Sequence, residues 1–182
     1  NPIAALALKH FQDVSLVARE ESAGGEGKFN RIEGYDISHF AGHEVYGSMV
    51  VFTNGQADNS QYRLFKIKTV TNNDLDALKE MVERRLKHTE WPKPDLILID
   101  GGKPQVDYIS KVLEQQQFAV PLLGISKLYG DRLVFPRNTK PTFKELAETI
   151  KTMLQQVRDE AHRFANKARR RGWTASNFNE HI

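Results

Sequence analysis

Three side chains stand where their type is unfavourable for the local pattern and useful for chemistry. Asp36 lies inside the strand-like run RIEGYDIS (31–38), where a short charged side chain that competes for backbone hydrogen bonds is disfavoured. Period-two alternation puts it on the face of Ile32 and Gly34. The plain reading is a strand that ends early with Asp36 opening a turn; the chemical reading is a metal ligand held by a rigid sheet. Asp100 closes the apolar run LILI (96–99) and precedes Gly101-Gly102-Lys103. It is either a helix N-cap after a tight Gly-Gly turn or a ligand at the carboxyl end of a parallel strand, where open α/β sheets place their crevices. His162 sits in RDEAHRFA. On a helix it falls within about 40° of Arg158 and Arg169. Its imidazole is then either a ring packed at the edge of the apolar stripe or a group facing the anion those arginines bind. Glu160 points elsewhere and makes a poor fourth ligand.

Two carboxylates from neighbouring strands plus one ligand from a helix are what a divalent-metal phosphodiesterase requires. Charge developing on the scissile phosphate must be neutralised and a water acidified toward neutrality. Oxygen ligands suit Mg²⁺ or Mn²⁺, and an imidazole shifts preference toward Mn²⁺. His162 is open to two roles, ligand or general acid/base with an ordinary pKa of about 6.5. Around this trio, Lys103 is either a phosphate contact or a solvated helix-start lysine, and His39 is either a supporting group or plain loop. Trp91 and Trp173 read as packing residues, and Arg84-Arg85 as a solvated helix face. No G-x-S-x-G elbow supports acyl transfer, and neither nucleotide-cradle pattern, G-x-G-x-x-G or G-x-x-x-x-G-K-[ST], occurs.

The elements that must carry these residues follow from periodicity. A helix is expected over 3–21, then the Gly-rich stretch SAGGEGKFN (22–30). Three strands, 31–38, 43–55 and 61–70, form an antiparallel meander, with Asn54-Gly55 as a turn signal. A helix over 72–88 is capped by Asn72 or Asn73; 94–100 and 120–126 read as buried parallel strands joined by a helix over about 103–117. A hairpin arm (128–136) leads to one long helix, 143–171, of about 45 Å, with Leu146, Ile150, Leu154, Val157, Ala161 and Ala165 as its stripe. The order βββ-α-β-α-β-hairpin-α makes a mixed α/β sheet. The chain of 182 residues is 40% hydrophobic and 27% charged, with no apolar run long enough to span a membrane. It lacks cysteine, which excludes disulfides, thiolate zinc sites and Cys nucleophiles and leans toward a cytoplasmic setting. Net charge is only +3, yet residues 151–171 hold seven basic and two acidic side chains, a phosphate-facing asymmetry.

The ordered blocks RIEGYDISHFAG, GSMVVFTNG, YRLFKIKTV, LKEMVERRL, PDLILIDGGKPQ and QQVRDEAHRFA resemble the C-terminal endonuclease domain of UvrC, the incision subunit of bacterial nucleotide excision repair, over about residues 31–171. The resemblance implies a ribonuclease H-like fold: three antiparallel strands plus a β-α-β unit, with flanking helices. It implies metal-dependent cutting of damaged double-stranded DNA on the 5′ side of a lesion. The family's Asp-Asp-His set falls on Asp36, Asp100 and His162, and the basic residue of its Gly-Gly-Lys-Gly-Gln block on Lys103. Two departures stand out: Pro104 replaces a glycine, which a helix's first turn tolerates, and FPRNTKPTFKEL replaces a Pro-Asp-Ser-Pro-type stretch. The family's GIY-YIG, UvrB-binding and helix-hairpin-helix regions are expected to lie outside this chain, so a UvrB-like partner would dock through them.

The expectation is a cytoplasmic, metal-dependent endodeoxyribonuclease domain over 31–182, preceded by a helix and linker over 1–30. Asp36, Asp100 and His162 would bind Mg²⁺ or Mn²⁺. Lys103, Arg158, Arg163 and Arg169 would bind the DNA backbone. Two other readings remain: an endonuclease V-like repair nuclease on the same fold, and a catalytically silent nucleic-acid or partner-binding module.

Overall fold

A computed structural model describes residues 29–69, 72–128 and 130–174; the helix expected over 3–21 lies outside them. β1 (Arg31–His39) and β2 (Val45–Thr53) pair antiparallel along their whole length. At Asn54-Gly55, where both residues have positive φ, the chain turns into the two-residue β3 (Gln56–Ala57), as the hairpin signal requires. β4 (Arg63–Lys66) then pairs with the other half of β2. Helix α1 (Asp74–Lys87) follows, its first turn capped by the Asn73 side chain accepting from the Leu75 N–H.

The parallel part of the sheet is β5 (Leu96–Asp100), α2 (Lys103–Gln115) and β6 (Leu122–Ser126). β5 inserts between β1 and β6, parallel to both, and its residues 96–99 are fully buried. Covering on both faces is what selects an unbroken apolar run rather than alternation. β7 (Arg132–Val134) closes the sheet antiparallel to β6. Spatial order is β3-β2-β1-β5-β6-β7, with β4 also on β2. This is the mixed sheet expected from the order of elements.

The sheet separates two cores. On one face lie α1 and α2, packing Met81, Val82, Val106 and Ile109 against Tyr35, Ile97 and Ile99. On the other lies the C-terminal helical segment, packing Leu154, Val157, Ala161 and Phe164 against Ile32, Leu98, Leu123 and Ile125. No helix among the described residues is long and apolar enough to cross a membrane.

The long C-terminal helix is in fact two, α3 (Pro141–Thr149) and α4 (Lys151–Arg171). Ile150 leaves helical geometry at φ −108°, ψ 16°. The Thr149 hydroxyl bonds back to the Leu146 carbonyl and the Ile150 N–H takes the Ala147 carbonyl, so the last turn tightens and closes. Periodicity runs across the break because both helices address the same core.

Arg84-Arg85 is not a solvated face. Both side chains are buried. Arg85 donates to both carboxylate oxygens of Glu33, which is fully buried, through contacts of 2.7–3.0 Å. Arg31 and the Tyr35 hydroxyl donate to the same carboxylate. Such a group is tolerable inside only when this fully hydrogen-bonded. Burial and the Glu33 charge push the Tyr35 phenol well above its ordinary pKa. Trp91, as expected, packs, stacked on His88 at 3.8 Å under Arg63 and Arg85, and Trp173 packs against the α4-side core.

Candidate metal centre

Asp36 does not open a turn, since β1 continues to His39. Nor does Asp100 cap α2; that position is Gly102, whose N–H bonds to the Gln105 side chain, with Pro104 in the first helical turn. Both acids are in strand. β1 and β5 run parallel with Tyr35 opposite Ile99, so Asp36 and Asp100 come next in register, on the α4 face.

His162 reaches them from above because α4 lies very close to β1. A Cβ on Gly34 would sit 2.6 Å from Val157 Cγ1 and 3.1 Å from Val50 Cγ2; the missing side chain is what lets the helix settle. A second glycine serves the turn below Asp100, since a Cβ on Gly124 would meet the Gly101 carbonyl at 2.7 Å.

The result is a compact cluster. His162 Nδ1 is 3.3 Å from Asp36 Oδ2 and Nε2 is 2.6 Å from Asp100 Oδ2. One ligand atom from each of the three residues falls within 4.8 Å of the others. The Asp36 carboxylate is buried, and Asp100 and His162 are partly so. Ser38, two residues on from Asp36, donates to Asp36 Oδ2 at 3.2 Å.

The charges interlock. The Asp100 carboxylate, then Asp36, raise His162 to a pKa of about 9 against the opposing effect of burial. Burial pushes the Asp100 carboxyl up, but His162, Lys127 and Arg158 together hold it below its ordinary value. Short as the Nε2–Asp100 approach is, it is not aligned as a hydrogen bond, and Nε2 is enclosed without an aligned partner. At 2.6 Å the contact is a close ion pair between the protonated imidazole and Asp100, the larger of the two carboxylate effects that raise His162. An imidazole enclosed beside two carboxylates is a donor set that fits a small divalent cation of the Mg²⁺ or Mn²⁺ kind.

The cations expected along the DNA divide. Lys103 is exposed, 3.1 Å from Asp107 and bonded to the Phe135 carbonyl. Arg163 is paired with Glu160, which also accepts from the Tyr62 hydroxyl, so Glu160 does point away from the site. Arg169 is exposed and donates to Asn166 Oδ1 at 3.4 Å. Arg158 differs: it is buried, with its fork closed on Asp131 at 2.6 and 3.0 Å and its Nε on Asp159. His39 pairs with Asp74 where both are exposed, at 3.0 Å. Ser38 and Asp131 were not singled out from sequence. Ser38 was findable, being two residues from Asp36 and hence on its face; nothing local marks Asp131.

The family model described as the UvrC RNase H endonuclease domain matches residues 20–166. A UvrABC system protein C from Syntrophomonas wolfei is 41% identical over 150 residues, 78% of this chain and 25% of that protein. One from Clostridioides difficile is 53% identical over 131 residues, 66% of this chain and 21% of that protein. The chain thus spans about a quarter of the length of these relatives. A solved endonuclease V from Ciona intestinalis bound to inosine-containing DNA overlaps 67% of this chain and 57% of its own, at 17% identity and a TM-score of 0.42. By the extent of the family match and the identity of these relatives, the chain belongs to the UvrC RNase H endonuclease domain family.

Proposed function

We propose that the chain is a metal-dependent DNA endonuclease domain that makes the incision 5′ to a lesion in nucleotide excision repair. It would act in the cytoplasm, together with a UvrB-like partner recruited through regions beyond this chain. The observation that carries the reading is the convergence of Asp36, Asp100 and His162, from two strands and a helix, within 4.8 Å.

A bound divalent ion supplies charge neutralisation at the scissile phosphate and a more acidic water. Asp36 and Asp100 hold that ion, Asp36 with its oxygen steadied by Ser38. His162 would complete the set as a ligand, one of its ring nitrogens lying within 4.8 Å of an oxygen of each carboxylate. Ligation requires the imidazole to lose the proton its two carboxylates retain. Lys103, Arg163 and Arg169 bind the phosphate backbone, a contact that is salt-sensitive and blind to sequence. Arg158, committed to Asp131, braces the site instead of touching DNA.

The test is nicking of a lesion-bearing duplex with Mn²⁺ and the partner proteins, together with calorimetry of Mn²⁺ binding. Asp36→Asn and Asp100→Asn are expected to abolish both. Full nicking by either variant would remove this site from the reaction, and cutting 3′ of a deaminated base without partners would assign an endonuclease V-like activity instead.

A further inference from the structure

We infer that Lys127 is a further substrate-contacting residue of this site, its ammonium set against the phosphate being cut. This rests on the endonuclease reading above and adds to it a residue that lies outside the Asp-Asp-His set.

The placement follows from alternation along β6. Leu123 and Ile125 enter the α4-side core, and Leu122 enters the opposite one. β6 ends at Ser126, and Lys127, the next residue, is two positions beyond Ile125, which in the strand's period of two is the α4 side. Ile125 is the register partner of Asp100, so Lys127 emerges one step past Asp100, on the face that holds Asp36 and His162. Independently, its positive charge is among those acting on the Asp100 carboxylate.

The turn bearing Lys127 is held to the helix that delivers His162. Asp131, at the far end of that turn, accepts both prongs of Arg158 at 2.6 and 3.0 Å and the Gln155 amide at 3.3 Å. Both partners lie on α4 within two turns of His162. On the near side, the Leu128 N–H bonds to the Ser126 hydroxyl.

Charge accounting explains what a lysine would do there. A phosphodiester entering beside Asp36 and Asp100 adds a third negative charge to a small volume. Lys103, Arg158 and Arg163 each already hold a carboxylate partner. Lys127 is exposed and has no hydrogen bond or ion pair with another described residue. A compact ammonium on a flexible stem is suited to a phosphate oxygen as a point charge.

The test compares Lys127→Met and Lys127→Arg with the parent chain in three measurements. These are Mn²⁺ calorimetry, binding of lesion-bearing duplex in Ca²⁺ as a function of salt, and single-turnover nicking in Mn²⁺ with the partner proteins. Lys127→Met is expected to bind Mn²⁺ at least as tightly as the parent, since a like charge near Asp100 is gone. Its duplex binding should lose about 0.9 from the slope of log affinity against log salt. Its nicking rate should fall on the order of 100-fold, the scale of losing one preorganised charge contact. Lys127→Arg should recover most of the rate.

Parent-like nicking and an unchanged salt slope in Lys127→Met would overturn the assignment while leaving the endonuclease reading intact. Lost Mn²⁺ affinity would also overturn it, making Lys127 a prop of the metal centre. A parent chain that neither binds nor cuts duplex would sink both readings together. If the parent binds without cutting, the salt slope alone decides.

Discussion

Helix α4 presses closely on β1 at Gly34, beneath the candidate metal centre, and filling that glycine should separate the three ligands. In Gly34→Ala the new methyl would stand 2.6 Å from Val157 Cγ1 and 3.1 Å from Val50 Cγ2. Carbon atoms rest about 3.5–4.0 Å apart, so the first contact is short by roughly 1 Å. Neither valine yields easily, because β-branched side chains have few rotamers to turn to. The strain is therefore relieved by α4 lifting from β1. Overpacking of this kind costs about 1–3 kcal/mol of stability. The effect on the site is larger in proportion. His162 rides on α4 five residues from Val157, and metal–ligand distances tolerate only about 0.2 Å. Mn²⁺ affinity is expected to fall roughly 10- to 100-fold, the range for disturbed ligand support. Calorimetry of Mn²⁺ binding and urea unfolding measure the two effects. The double variant Gly34→Ala with Val157→Ala removes the offending methyl and should recover much of both, with a coupling of about 0.5–3 kcal/mol. Unaltered Mn²⁺ affinity in Gly34→Ala, or no recovery in the double variant, would refute the claim that this contact seats His162.

Two further outcomes follow from the buried charges. Glu33→Ala leaves Arg85 and Arg31 inside without their counter-charge and should destabilise by about 3–5 kcal/mol in urea unfolding. In metal-free protein, His162 has a folded pKa of about 9 above an ordinary value of about 6.5. Its ion pairing therefore contributes stability that is full below about pH 6.5 and lost as pH rises through about 9. The difference in urea midpoint between parent and His162→Gln should shrink over that interval, whereas Mn²⁺ affinity, which competes with the same proton, should rise through it.

Much of this was legible because strands and helices write periods into sequence. Asp36 and Asp100 stood out as acids in apolar strands, and register between parallel neighbours brings them side by side. What escaped was set by partners far away in the chain. Arg84 and Arg85 look like any basic pair on a helix; Arg85 is answered inside by Glu33, 52 residues away, and Arg84 by the Lys66 carbonyl and Glu80, an arrangement set by where α1 docks. Arg158 carries no local sign that Asp131, 27 residues before it, closes on its fork. The break at Ile150 is hidden for another reason, since α3 and α4 keep one apolar stripe toward one core.

The two buried acids of β1 make the functional asymmetry plain. Glu33 and Asp36 are three residues apart and face opposite cores. Glu33 is answered by Arg85, Arg31 and the Tyr35 hydroxyl, a set that satisfies a carboxylate and ties β1 to α1. Asp36 has one serine hydroxyl and a histidine that it must share with Asp100. Two carboxylates against one imidazolium leave the cluster a net negative charge in a partly buried place. Folding alone gives no reason to leave it so, because a second cation paired directly with either carboxylate would serve stability better. Arg158 lies near enough to act on Asp100, yet its guanidinium is turned onto Asp131 and Asp159. The deficit is what a divalent cation corrects, and it sets the prediction that Mn²⁺ raises the unfolding midpoint of the parent chain but not that of Asp36→Asn.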